Sequence, residues 1–171
     1  QNIAPRLFSS KKYALEKWDN FDVQLWKKVK KELKHKIEPS SVKIIGTDIS
    51  PKAVQMAKFS AKDAAVDDIV EAYQADFFTS KNNLTKGFIV SNPPYGERLK
   101  EEDIIEFYKE IGNTFKREYG GFEAWLLSSN LQALKFIGLK PSKKIPLKNA
   151  ALDVKLQKYE LYDGSTRAVK S

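Results

Sequence analysis

The 171 residues suffice for one domain with a sizeable core, and 42% apolar against 30% charged residues is an ordinary globular balance. The absence of cysteine excludes a disulfide framework, a thiolate zinc site and a cysteine nucleophile, and fits a cytoplasmic protein. No apolar run approaches the roughly 18 residues of a membrane helix, and no signal-peptide pattern opens the chain. The excess of 30 Lys+Arg over 22 Asp+Glu, +8 at neutral pH, favours a polyanionic partner, nucleic acid before membrane, because neutralised phosphates release counterions. Solubility alone is the plainer reading of the same excess.

The opening, "QNIAPRLF", has no Met start and reads as the tail of a segment already under way. After a polar stretch, "FDVQLWKKVKKELKHKI" sets Trp26, Val29, Leu33 and Ile37 at helical spacing, with lysines on the other face and Pro39 to stop the helix. That lysine run reads first as a solvated face and second as a binding surface. His35, the sole histidine, lies among lysines and makes no metal site.

The next unit is strand, acid, helix. "VKIIGTDIS" is a short apolar run ending at Asp48; Ser50 is a natural N-cap and Pro51 a first-turn residue. Val54, Ala57, Ala61 and Ala64 then mark one helix face. "DIVEAYQADFF" predicts a second strand ending at Asp76, and "GFIVSNPPY" a third ending at Asn92. "EEDIIEFYKEIGNTFKREY" is a long amphipathic helix with Ile104, Tyr108, Ile111 and Phe115 in phase, closed by Gly120-Gly121. "FEAWLLSS" follows as a fourth strand and "NLQALKFIG" as a short helix. At the end, alternating Leu152, Val154 and Leu156 predict an antiparallel hairpin, and Pro146 keeps its strand out of a central position.

Alternating strands and helices predict a parallel α/β sheet with helices on both faces. Ligands in such sheets bind beyond the carboxyl ends of the strands, so Asp48, Asp76 and Asn92 are expected on one rim.

The tetrapeptide Asn92-Pro93-Pro94-Tyr95 freezes the backbone at a strand end. Each proline holds its predecessor extended and removes an N–H, so the Asn92 side-chain oxygen and one or two rigid carbonyls form an array of acceptors. An exocyclic amino group needs such acceptors, both for position and to stabilise the positive charge that grows as its nitrogen attacks an electrophile. Tyr95 adds an aromatic face on which a base can stack, at about 1–3 kcal/mol per base. The plain alternative is a proline-stiffened turn with a satisfied Asn.

At this point the residues resemble a family. "NPPY" is similar to motif IV of S-adenosylmethionine-dependent amino methyltransferases, which act on exocyclic nitrogens of adenine or guanine. The longer "SNPPYGERL" resembles the bacterial enzymes that methylate guanine N2 in large-subunit (23S) rRNA and carry an upstream THUMP RNA-binding domain. The resemblance runs from "NIAPRL" through "GTDIS", "ADFF" and "SNPPYGERL" to the closing hairpin.

It implies a Rossmann-like class I methyltransferase sheet and S-adenosyl-L-methionine as cofactor. It implies that Asp48 binds the cofactor ribose, with a second reading as a favourable helix N-terminal charge. Asp76 is implied to accept from the cofactor's adenine amino group, with Phe77 or Ile49 against the ring; core packing is the other reading of Phe77. Asn92 is implied at both cofactor and catalytic positions, and Pro93, Pro94 and Tyr95 complete the catalytic loop. Arg98 and Glu97 are implied at the pocket mouth, Arg98 with a substrate contact, or else they form a surface ion pair. A flipped or single-stranded guanine would stack on Tyr95 and be methylated directly, without a metal.

One part of the family pattern is lacking. No G-x-G turn of the kind that follows the first strand occurs here. The expectation is that residues 1–171 are the C-terminal part of a methyltransferase domain, inactive alone and completed by the missing N-terminal part of the same protein, which is either a separate chain or lost by cleavage near residue 1. The family's closing Asn-Gly turn is replaced by Asn149-Ala150, leaving the turn type open. Two other functions fit the sequence: an adenine-N6 methyltransferase acting on DNA or RNA, and a non-catalytic RNA-binding module that kept the fold.

Overall fold

The computed structural model describes residues 1–9, 11–95, 101–150 and 152–162, which form two compact units, Gln1–Phe77 and the chain from Phe78 on. In the first unit, α1 (Val23–His35) starts at Asp22, whose carboxylate accepts from Gln24 N and Leu25 N at 2.9 Å each. Trp26, Val29 and Leu33 form its half-buried stripe, Ile37 lies half-buried just past the helix end, and Tyr13 and Phe21 pack edge-on against Trp26. The helix ends ahead of Pro39.

Two strands, β1 (Ile44–Asp48) and β2 (Val70–Gln74), pair in parallel across α2 (Pro51–Asp63). Ser50 Oγ accepts from Ala53 N at 3.3 Å and Pro51 occupies the first turn, as the sequence predicts. Of the four apolar residues expected on one face of this helix, Val54 and Ala61 are buried while Ala57 and Ala64 are exposed. The helix rests on β1 and β2, and Ala64 lies past its end as the C-cap residue.

The second unit holds β3 (Gly87–Ser91), α3 (Glu101–Glu118), β4 (Phe122–Ser128), β5 (Lys143–Asn149) and β6 (Leu152–Glu160). Its four-stranded sheet has the order β3-β4-β6-β5, with β3 and β4 parallel and β6 antiparallel to both neighbours. Pro146 thus stands on an edge strand, where its missing N–H costs no ladder bond.

One face of this sheet packs under α3. Tyr108, Ile111 and Phe115 meet Ala124, Leu126, Ser128 and Tyr159, all buried. A short 3-10 helix, Ala133–Ile137, closes the end of that layer and takes the place of the predicted short α-helix. Gly112 permits the contact between α3 and this turn, since a Cβ there would lie 1.7 Å from Ile137 O.

The expected architecture, a Rossmann-like α/β fold with a C-terminal hairpin, is present. The sheet, however, is in two pieces, with β1 and β3 each carrying a free edge among the described residues. All five residues of β1 are exposed, and on β3 Phe88 and Val90 are 76% and 77% exposed. Among the described residues no helix is long and apolar enough to cross a membrane.

Candidate active site

Asp48 is the last residue of β1. Its Oδ1 accepts from Ser50 N at 2.7 Å, which turns the chain into α2; Oδ2 makes no hydrogen bond among the described residues. The parallel ladder continues one step beyond β2, because Ala75 N donates to Asp48 O at 3.1 Å. Asp76 is the following residue, so two carboxylates stand at the carboxyl ends of adjacent strands. Strand β2 itself stops at Gln74, two residues before the expected end, where its partner β1 ends at Asp48; the Gln74 side chain donates to Ile49 O at 3.3 Å. Ile49 is 70% exposed beside Asp48, and Phe77 is half-buried. An exposed carboxylate with an uncommitted oxygen, flanked by an exposed apolar side chain, fits a ribose diol next to a planar ring.

In the second unit Asn92, Pro93, Pro94 and Tyr95 follow β3 directly. The Tyr95 hydroxyl donates to Asn92 Oδ1 at 2.5 Å. Pro93 is buried, and its carbonyl accepts no hydrogen bond among the described residues. The next two carbonyls are engaged internally. Pro94 O accepts from the Tyr108 hydroxyl at 3.3 Å, and Tyr95 O accepts from Asn130 Nδ2 at 3.0 Å. The acceptors left with capacity among the described residues are therefore Asn92 Oδ1, at an exposed residue and with a second lone pair, and the Pro93 carbonyl.

A buried relay fixes this loop from below. Asn130 N donates to Ser128 Oγ at 3.0 Å, and Ser128 Oγ lies 2.6 Å from the Tyr108 oxygen. With Tyr108 donating to Pro94 O, each hydroxyl is satisfied if Ser128 donates to Tyr108. Tyr108 and Ser128 are fully buried, and burial pushes the Tyr108 phenol above its ordinary value. Asn130 serves twice, since its Oδ1 also accepts from Ala133 N at 2.8 Å and starts the 3-10 helix.

Sequence reasoning missed Tyr108, Ser128 and Asn130 as supports of the loop. Tyr108 was legible as a core residue of α3, and a buried phenol needs a partner, but its partners lie 14 and 20 positions away. Arg98 and Glu97 lie outside the described residues. Among the described residues no cluster of His, Asp or Glu could hold a metal ion.

A model of the RMKL-like methyltransferase domain matches residues 1–158. The chain belongs to the RMKL-like methyltransferase domain family. This RMKL-like domain is 32% identical over 171 residues to the ribosomal RNA large subunit methyltransferase K/L of Shewanella baltica strain OS155. The match covers 97% of the chain but 24% of that relative, so the chain spans about a quarter of the length of the curated relatives it matches. Among solved structures, SMU.472 complexed with SAH superposes with a TM-score of 0.80 at 28% identity, covering 96% of the RMKL-like domain and 43% of that chain. A protein of Listeria monocytogenes described as a predicted N6-adenine-specific DNA methylase gives a TM-score of 0.75 at 30% identity, over 94% of this chain and 41% of its own.

Proposed function

We propose that these residues are the C-terminal part of the methyltransferase domain of an enzyme that methylates the exocyclic N2 of a guanine in large-subunit rRNA. The observation that carries this reading is the acceptor pair at Asn92 and Pro93, held rigid from below while Tyr95 offers its ring. The kinship to a ribosomal RNA large subunit methyltransferase supports rRNA as substrate.

S-adenosyl-L-methionine is the cofactor that this family and the SAH complex of SMU.472 point to, and when bound it supplies an electrophilic methyl group. Asp48 accepts from the ribose hydroxyls and Asp76 from the adenine amine, with Ile49 and Phe77 against the ring. Asn92 Oδ1 and the Pro93 carbonyl accept from the two N–H groups of the target amine. They orient its lone pair and stabilise the positive charge that develops on nitrogen. Pro94 keeps the loop in one conformation, Tyr95 stacks on the base, and Arg98 contacts the nucleic acid. Proximity supplies much of the acceleration, since no covalent intermediate with the protein is required.

The free edges of β1 and β3 support a further part of the reading: backbone from outside these 171 residues completes the domain and holds the cofactor's amino-acid end. An upstream THUMP domain would then direct the enzyme to its RNA. Such an enzyme works in the cytoplasm, where ribosomal RNA is assembled.

Adenine N6 is the second reading, favoured by the likeness to the Listeria protein and by the fact that Asn-Pro-Pro-Tyr does not itself choose the base. The deciding experiment supplies isotopically labelled methyl donor to the full-length protein with unmethylated large-subunit rRNA, and then separates the nucleosides. Label in N2-methylguanosine supports the first reading; label in N6-methyladenosine replaces it with the second. Cofactor binding with no transfer to any nucleic acid would leave a binding module.

A further inference from the structure

Most lysines of the second unit that approach a carboxylate are tightly held. Lys158 is 2.6 Å from Glu123 and 3.4 Å from Glu160, Lys81 is 2.8 Å from Glu118, and Lys109 is 3.0 Å from Glu106. Lys135, Lys144 and Lys155 differ. Among the described residues no carboxylate lies within ion-pair distance of any of them.

These three lysines nevertheless come together. They line one open cleft of about 570 Å³, with Gln132 and Gln157 as its other polar side chains and leucines and Pro141 between them. Among the described residues no acidic side chain lines it. The strand register explains the meeting. Lys144 is paired with Gln157 and Pro146 with Lys155, so Lys144 and Lys155 share the face that carries the 3-10 helix. Lys135 joins them from that helix, its Nζ donating to Gln132 Oε1 at 2.9 Å.

Position gives the cleft its meaning. The first residue of the 3-10 helix, Ala133, donates its N–H to Asn130, the residue whose side chain holds the Tyr95 carbonyl. Leu131 and Gln132 of the cleft follow Asn130 directly in the chain. Three ammonium groups without a counter-charge repel one another, and an anion from outside relieves that repulsion. Sugar-phosphate next to a nucleotide seated at Tyr95 carries such charge at regular spacing.

We propose that the cleft of Lys135, Lys144 and Lys155 binds backbone phosphates of the single-stranded RNA flanking the target nucleotide. This rests on the reading of the chain as part of an rRNA methyltransferase. The cleft then positions the strand, and the Asn-Pro-Pro-Tyr loop acts on the base.

The test measures binding of a large-subunit rRNA transcript to the full-length protein across a salt series. Wild type is compared with the triple variant Lys135→Gln/Lys144→Gln/Lys155→Gln and with the matching triple Lys→Arg. Each lost phosphate contact on a single strand lowers the slope of log K against log salt by about 0.7, so the Gln triple is expected to be shallower by about 2. The Arg triple keeps the wild-type slope, and calorimetric S-adenosylmethionine affinity stays unchanged in both. An unchanged slope in a Gln triple that still binds the cofactor overturns the proposal. If the triple does not fold, the single Lys144→Gln, at an exposed position, is expected to lose about 0.7 of slope, and no loss there overturns it equally. If wild type transfers methyl to rRNA while the slope is unmoved, only the cleft assignment falls. If wild type neither binds nor methylates rRNA, the functional reading falls and takes the cleft with it.

Discussion

The Tyr95 hydroxyl and the Asn92 side-chain oxygen are 2.5 Å apart, so the aromatic ring and the amide of the loop are tied to each other. The two groups expected to hold a base and its amine are thereby kept in one geometry. Tyr95→Phe removes the tie and keeps the ring, whereas Tyr95→Ala removes both. With stacking at about 1–3 kcal/mol, the Ala variant is expected to lose about 5- to 150-fold in kcat/KM and the Phe variant distinctly less. Equal losses in steady-state assays of the full-length protein would rule out the stacking role.

Asn92→Ala removes the side-chain acceptor itself. The expected outcome is a fall in kcat of about 10²–10³-fold, the range for loss of one preorganised electrostatic group, with a much smaller change in cofactor affinity. Turnover and calorimetry on the same preparation check this, and parallel losses in both would contradict the assignment.

The relay under the loop predicts a stability effect. Tyr108→Phe leaves the Ser128 O–H without its acceptor in a fully buried position, although Ser128 Oγ still accepts from Asn130 N, and removes the donor to Pro94 O. Urea unfolding should show a loss of about 1–3 kcal/mol. Adding Ser128→Ala to Tyr108→Phe should cost less than the sum of the two single changes, because the second change removes the stranded group. Strict additivity would mean that the two hydroxyls are not coupled.

The hairpin turn offers a gain. Ala150 sits at φ 53, in the left-handed region where a Cβ is penalised by about 1–2 kcal/mol. Ala150→Gly is expected to raise stability, by up to about 1 kcal/mol after the entropy cost of glycine in the unfolded chain. A lower urea midpoint in Ala150→Gly would show that the turn does not keep this conformation in solution.

Acid should weaken the second unit at two identifiable places. Lys81 beside Glu118 and Lys158 beside Glu123 hold both carboxyls below the usual carboxylate value. A depressed folded value means that the contribution is present above the unfolded value near 4.5 and is lost as pH falls through the folded value. Glu118→Gln and Glu123→Gln should therefore flatten the stability profile below about pH 4.5 and lower its plateau at neutral pH. The change is checked by urea midpoints at stepped pH, and an unaltered acid limb would assign the loss to other groups.

Much of this fold was legible because its signals are local. Asp48, Ser50 and Pro51 marked a strand end and a helix start within four residues, and Pro146 marked an edge strand. Ile104, Tyr108, Ile111 and Phe115 marked the buried stripe of α3 by period alone. The Asn-Pro-Pro-Tyr loop was legible as chemistry because prolines restrict a backbone wherever they occur. The supports of that loop were not, since the bonds from Tyr108 to Pro94 and from Asn130 to Tyr95 span 14 and 35 positions. Ala57 and Ala64 were misread for a related reason: period shows which face of a helix is apolar, not what lies beneath it or where the helix ends.

The open side of β3 has a consequence for handling the protein. A strand whose edge is unpaired among the described residues, bearing two side chains as exposed as Phe88 and Val90, is a template that another extended segment can extend by main-chain hydrogen bonding. Produced by itself at high concentration, this chain is expected to associate strand to strand, which light scattering across a concentration series checks. On the proposal that backbone from outside these 171 residues completes the sheet, the segment covering that edge would serve, beyond any part in methyl transfer, as a guard against self-association.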